Sequence, residues 1–159
     1  MEFILDIFAV LPKELMVIFV AALPVLELRF AIPIGVARGL DPFYAMTLGI
    51  MGSMIPVPFL LLFLKPVFRE MRKTAFFRKF VDWVTHRTMK KTGKIRKYSV
   101  FGLAVFVAVP IPSTGVWTGA IAAALLDIRF IHAFTAILAG NCVAAVIVTF
   151  FSHMAVINF

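Results

Sequence analysis

Residues Tyr98–Leu126 read YSVFGLAVFVAVPIPSTGVWTGAIAAALL, 29 residues without a charge. As one straight helix this run would reach about 43 Å, well beyond the roughly 30 Å hydrocarbon core of a bilayer. Its middle is Pro110-Ile111-Pro112-Ser113-Thr114-Gly115. Two prolines, two hydroxyls and a glycine are helix-breaking chemistry. Non-helical backbone at membrane depth persists only where it is buried in protein or faces a water-filled cavity. The run therefore reads as a re-entrant hairpin with its tip near mid-membrane.

Working outward, Leu15–Leu26 has the complementary fault. Its 12 apolar residues reach only about 18 Å as helix, too short to span. They then meet Pro24, Glu27, Arg29 and Pro33 before apolar character resumes, so this stretch also reads as a hairpin. Two others are ordinary spans. Pro42–Leu64 has 23 uncharged residues, with Pro56 and Pro58 expected to bend its second half, and Phe130–Phe151 has 22, interrupted by His132 and Asn141. The expected fold is an all-α integral membrane protein with two re-entrant hairpins and two full transmembrane helices in an inverted repeat. One membrane domain over 1–159 is expected, with 13–64 and 98–152 as the halves and 65–97 as linker. The alternative is four kinked spans.

The halves share a pattern. Pro33-x-Gly35-x3-Gly39-Leu40-Asp41, Ala45-x-Thr47-x4-Gly52-Ser53 is answered by Pro112-x2-Gly115-x3-Gly119, Leu126-Asp127, Ala133-x-Thr135-x4-Gly140-Asn141. Broken helices in inverted repeats recur in transporters, while small-x3-small spacing also serves plain helix packing.

Composition agrees with a membrane class. The chain is 62% apolar and only 15% charged, where a soluble domain carries about a quarter charged residues. Of its sixteen Lys and Arg, twelve lie between Lys65 and Lys97, offset there only by Glu70 and Asp82. Basic loops stay in the cytoplasm, so residues 65–97 are expected there, Pro42–Leu64 running inward and the last span outward. Phe68, Met71, Ala75, Phe76, Phe80 and Val84 recur at helical spacing within that segment, which predicts an amphipathic helix on the membrane face ending near Gly93. A solvated connecting helix is the other reading. Bilayer-length segments on both sides argue against nucleic acid as the partner of the basic run. The acidic start, Glu2 and Asp6, lacks the basic flank of a removable signal. Cys142 lies in an apolar run and reads as a small hydrophobe.

Glu27 and Arg29 are the sharpest chemical signal. A charge at the bilayer centre costs on the order of several kcal/mol, so such residues pair, face a cavity and usually serve function. In a helix an i, i+2 pair points to different faces, whereas at a hairpin tip both side chains can face one side. Arg29 suits a phosphate or carboxylate in fork geometry. Glu27 suits a coupling proton or sodium ion. Mutual neutralisation is the structural alternative. Ser113 and Thr114 offer hydroxyls, and a helix restarting near Thr114 or Gly115 would present backbone N–H groups to an anion. Trp117, one turn on, and Asn141, at the middle of the last span, complete the candidates. Enzyme signals are missing: no phosphate loop appears, and His86, His132 and His153 are scattered. Neither catalysis nor a cofactor is expected.

Glu27-Leu28-Arg29-Phe30-Ala31-Ile32-Pro33-Ile34-Gly35, Gly52-x3-Pro56-Val57-Pro58 and Phe106-Val107-x2-Pro110-Ile111-Pro112-Ser113-Thr114-Gly115-Val116-Trp117-Thr118-Gly119 together resemble the small multi-drug export proteins, over roughly residues 13 to 152. That family looks like a branch of the DedA superfamily, which includes the VTT-domain proteins. The resemblance implies opposed re-entrant hairpins at Glu27–Gly35 and Pro110–Gly119, and a transport role; several relatives are linked to lipid scrambling or to flipping polyprenyl-phosphate carriers. A second acidic residue, which some relatives carry in the latter hairpin, is lacking here.

The expectation is a multi-pass protein of the cell's cytoplasmic membrane that translocates an amphipathic anion such as a lipid or polyprenyl phosphate. Its substrate-binding residues are Arg29, Pro110, Pro112, Ser113, Thr114, Gly115, Trp117 and Asn141, with Glu27 as the ion-coupling residue. Membrane lipids and further copies of the chain are its expected partners. An exporter of hydrophobic cations and a non-transporting scaffold are the alternatives.

Overall fold

The structure, a computed structural model, describes residues 11–71, 73, 74, 79, 95–110 and 114–158. Seven helices and no strand occur among them: α1 Lys13–Ala22, α2 Glu27–Ala37, α3 Pro42–Met54, α4 Pro56–Met71, α5 Ile95–Ala108, α6 Val116–Leu125 and α7 Phe130–Asn158. The chain forms two compact units. One takes Met1–Ile55 with Cys142–Phe159, the other Pro56–Asn141.

In the first unit α1, α2 and α3 pack against one another. One core cluster joins Met16, Val17, Val20 and Ala21 of α1 to Ala31 and Leu48. A second joins Leu28, Ile32 and Val36 of α2 to Ala45 of α3 and to Ala144 and Ala145 of α7. With 10 and 11 residues, α1 and α2 reach only about 15 and 16 Å each, half a hydrocarbon core. Proline chemistry separates them. Leu23 precedes Pro24 and is extended, with φ −71° and ψ 141°, the backbone that a following proline favours.

The second unit packs α4 and α5 on α6 and buries Val57, Leu61, Leu103, Val107, Val116, Ala120, Ala133 and Ile137. Its short pair breaks the same way: α5 stops at Ala108, two residues before Pro110, and α6 opens after a buried Gly115.

Two stretches, Pro42–Glu70 and Phe130–Ala155, are long and apolar enough to cross a membrane. The first bends at Ile55, where Pro56 removes a donor, which matches the bend expected from Pro56 and Pro58. Asp41 starts α3: its Oδ1 accepts from the Phe43 and Tyr44 amides at 2.9 and 3.1 Å, and Pro42 fills the first helical position. Of the basic 65–97 segment, α4 takes residues through Met71 and α5 begins at Ile95. Apart from 73, 74 and 79, the predicted amphipathic helix between them, and its stop at Gly93, lie outside the described residues.

The outer surface carries large apolar side chains: Phe19, Phe30, Phe43, Phe59, Leu62, Phe63, Phe101, Ile131, Phe150 and Phe151 are all exposed. Soluble monomers rarely expose so many large apolar side chains. Together with the two long apolar helices, it makes this a membrane protein.

The two units share local geometry. After α2 the Gly39 amide donates to Val36 O and the Leu40 amide to Gly35 O; after α6 the Asp127 amide donates to Ala124 O and the Ile128 amide to Ala123 O. Both are helix-ending turns with a left-handed residue, Gly39 at φ 82° and Asp127 at φ 51°. The next helices begin alike. Ala45 and Ala133 donate to Asp41 O and Arg129 O, and the Thr47 and Thr135 hydroxyls donate to Phe43 O and Ile131 O.

These turns make opposite predictions for substitution. A Cβ in left-handed backbone costs on the order of 1 kcal/mol. Gly39→Ala is expected to lower the unfolding free energy in detergent by about that much, while Asp127→Gly is expected not to lower it, as read by chemical denaturation.

Candidate functional site

Glu27 is the first residue of α2 and has left-handed backbone, φ 50°. Its amide donates to Leu23 O at 3.1 Å, closing the turn that carries Pro24 and Val25. This conformation is unusual for a residue with a Cβ, and it re-aims the side chain. In regular helix, residues two apart point to different faces. Here Arg29 Nη1 donates to Glu27 Oε2 at 3.3 Å. The side chains are 14% exposed for Arg29 and 9% for Glu27. The two side chains therefore meet, next to a left-handed residue at position 27, where two positions of one regular helix would point apart.

The pair sits at the break between α1 and α2. The other described ionisable groups of these helices, Lys13, Glu14 and Arg38, occupy the opposite end. That separation runs about 15 Å along the axis. The first unit thus holds an acid–base pair, Glu27 buried and Arg29 partly so, distant from the charges at the other end of these helices.

The remaining candidates belong to the second unit. Pro110 is exposed, Thr114 and Trp117 are partly buried, Gly115 is buried, and Asn141 is 3% exposed. Pro112 and Ser113 lie outside the described residues. The Thr114 hydroxyl donates to Val109 O at 2.7 Å, across the break between α5 and α6. Gly115 precedes the first residue of α6 without a side-chain cap, as expected for a helix restarting there. The Thr118 hydroxyl donates back to Gly115 O at 3.3 Å.

Two buried polar residues among those described were not candidates, Ser53 and Ser152, the latter donating its hydroxyl to Val148 O at 2.7 Å. Ser53 is fully buried in the first unit, and its hydroxyl donates to Ile50 O at 3.0 Å. The shared Gly52-Ser53 and Gly140-Asn141 pattern was the signal that pointed to it. Among the described residues no group of three or more His, Cys, Asp or Glu is placed to hold a metal ion.

Helices of membrane-crossing length, many exposed large apolar side chains and an acid–base pair largely out of water at a helix break define an integral membrane protein. The family model described as "Putative small multi-drug export protein" matches residues 27–147, beginning at the acidic member of that pair and covering most of the chain. The chain belongs to that family. No curated protein and no solved structure matches it.

Proposed function

We propose that this protein is a multi-pass transporter of the cytoplasmic membrane that moves an amphipathic anion, a lipid or polyprenyl phosphate, coupled to a cation. The observation that carries the reading is the Glu27–Arg29 pair, with Glu27 buried and Arg29 partly so, at the break between two helices too short to span. Charges are retained at membrane depth where they serve transport. Arg29 is assigned to the anionic headgroup, which its guanidinium suits in fork geometry. Glu27 is assigned to the coupling proton or sodium ion. In the second unit Pro110, Pro112, Ser113, Thr114, Gly115, Trp117 and Asn141 are assigned to substrate, with the amide groups opening α6 suited to an anion.

In this reading both short-helix pairs are re-entrant hairpins and the halves form an inverted repeat, as in the DedA superfamily. The paired turns after α2 and α6 and the matched threonine bonds support the repeat. The basic segment faces the cytoplasm, several copies assemble, and the protein performs no catalysis. A second reading, export of hydrophobic cations with Glu27 as counter-charge, is favoured by the family's name.

Purified protein in neutral-lipid liposomes tests these readings against each other, with geranyl phosphate and tetraphenylphosphonium as probes. Saturable uptake of the phosphate, and not of the cation, is the expected result. Uptake of the cation alone would replace the first reading with the second. Flux of neither would leave a scaffold.

A further inference from the structure

Resting on the membrane crossing and orientation of α3 and α4 in that reading, we infer that the inner end of α4 holds an anionic phospholipid, its phosphate on Lys65 and Arg69 and an acyl chain along Leu62 and Phe59. Pro42–Leu64 carries no charge for 23 residues, about 35 Å of helix against a hydrocarbon core of roughly 30 Å. Lys65 therefore falls where hydrocarbon gives way to headgroups. Arg69 follows one turn on, about 6 Å further along the axis, within the headgroup layer.

Helical spacing sorts α4 into two sides. Val57 and Leu61 are fully buried, in a unit where α4 packs on α6. Phe59, Leu62 and Arg69 lie on the exposed side, and Lys65 stands partly buried at the rim between the two. Two cations thus sit directly above two exposed apolar side chains, on one side of one helix. That order matches a phospholipid, with charged phosphate outermost and hydrocarbon beneath; a soluble anion would meet the cations alone. The long stems of Lys and Arg let both charges reach the phosphate while their methylenes stay on apolar surface. Glu70, the acid described in this segment, pairs with Lys73 at 2.8 Å on the next turn and leaves the charge of Lys65 and Arg69 to the membrane.

The packing of such a helix does not call for these cations. In the inverted repeat of that reading, counting on from Asp41 and Arg129, the second half of α7 answers to α4. Its Ala145, fully buried like Val57, belongs to a core of the first unit. His153 and Ile157 stand there where α4 has Lys65 and Arg69. Orientation in the membrane does not rest on the pair either. Twelve Lys and Arg lie between Lys65 and Lys97, so ten remain without these two. The two charges are surplus to packing and to topology, and they stand at the depth of lipid phosphate. A lipid held at this rim binds the folded unit and so stabilises it by mass action.

The test is native mass spectrometry of the full-length protein in detergent, titrated with dioleoylphosphatidylglycerol or dioleoylphosphatidylcholine. Retention of the glycerol lipid by the wild type, at concentrations where the choline lipid is not retained, is the expected result. A basic residue at an anionic membrane surface is worth about fivefold in affinity. Arg69→Gln is therefore expected to weaken the Kd about fivefold, and Lys65→Gln/Arg69→Gln about twenty-five-fold. Lys73→Gln/Lys79→Gln removes the same charge from the same segment and is expected to keep the wild-type Kd. Arg69 is exposed, so its single variant is expected to fold and decides the matter where the double does not. Equal loss in both double variants would reduce the site to diffuse basic charge, and equal retention of the two lipids would reduce it to ordinary lipid contact; either overturns the assignment. Displacement of the lipid by inorganic phosphate also overturns it, by marking a site for soluble anions. Flux of geranyl phosphate in liposomes is read separately. Absent lipid binding with flux intact overturns this inference alone, and absent flux with lipid binding intact overturns the transport reading alone.

Discussion

Gly52→Ala and Gly140→Ala are each expected to abolish recovery of folded, monodisperse protein, whereas Gly102→Ala is expected to leave it unchanged or improved. A Cβ on Gly52 would stand 2.5 Å from Ile18 O and 2.8 Å from the Ala21 Cβ, in the first unit. A Cβ on Gly140 would meet Ala104 O and lie 2.8 Å from the Val107 Cβ, in the second. In each case the obstacle includes a backbone carbonyl of a packed helix, which no rotamer change can move. Relief requires the helices to separate, and overpacking costs about 1–3 kcal/mol and occasionally more, with a fixed carbonyl in the way placing these two at the upper end. Against that, Ala gains roughly 1 kcal/mol over Gly in helix propensity, so the clash wins. At Gly102 nothing lies within 4 Å of the added carbon, and only the gain remains. Size-exclusion profiles of the three variants in detergent, with thermal unfolding of whatever folds, decide the matter. Normal profiles for Gly52→Ala and Gly140→Ala would mean that the helices pack less closely than described.

The second large effect concerns the buried pair. Glu27→Ala and Arg29→Ala are each expected to lower stability measurably, because each removes one member of an ion pair held at 3.3 Å, away from bulk water. The double variant is expected to lose clearly less than the sum, since it removes both charges together; residues in direct ionic contact couple in this way. Transport should fail in all three, because the double variant restores neutrality without restoring a cation for the headgroup. Denaturation in detergent read beside liposome flux separates the two roles. Additive stability losses would show that the charges do not depend on each other. Normal flux in the double variant would show that the pair serves folding alone.

Much of this architecture is legible in the chain itself, for local reasons. The apolar lengths of Pro42–Leu64 and Phe130–Phe151 set two helices of membrane-crossing length. Pro24 and Pro110 mark where the short helices part, because a missing donor and a restricted preceding residue act within a few positions of themselves. Asp41-Pro42 announces the start of α3. The pairing of Glu27 with Arg29 was readable as chemistry, since two opposite charges in an apolar run need an explanation.

Tertiary structure decided the rest. Sequence spacing alone sends residues 27 and 29 to different helix faces; the left-handed backbone that reunites them is selected by a turn closed through Leu23 O and by the packing of α1 on α2. Which glycines are indispensable was equally hidden. Gly52, Gly102 and Gly140 all stand in apolar helices, and only the approach of Ile18 and Ala104, distant in the chain, distinguishes two from the third. The sharing of α7 between two cores is likewise fixed by contacts far apart in sequence. Composition and breakers act over a few residues and so were determined by the sequence alone. The handedness of one acidic residue and the closeness of two glycines depend on which surfaces meet, and that is settled only when the helices pack.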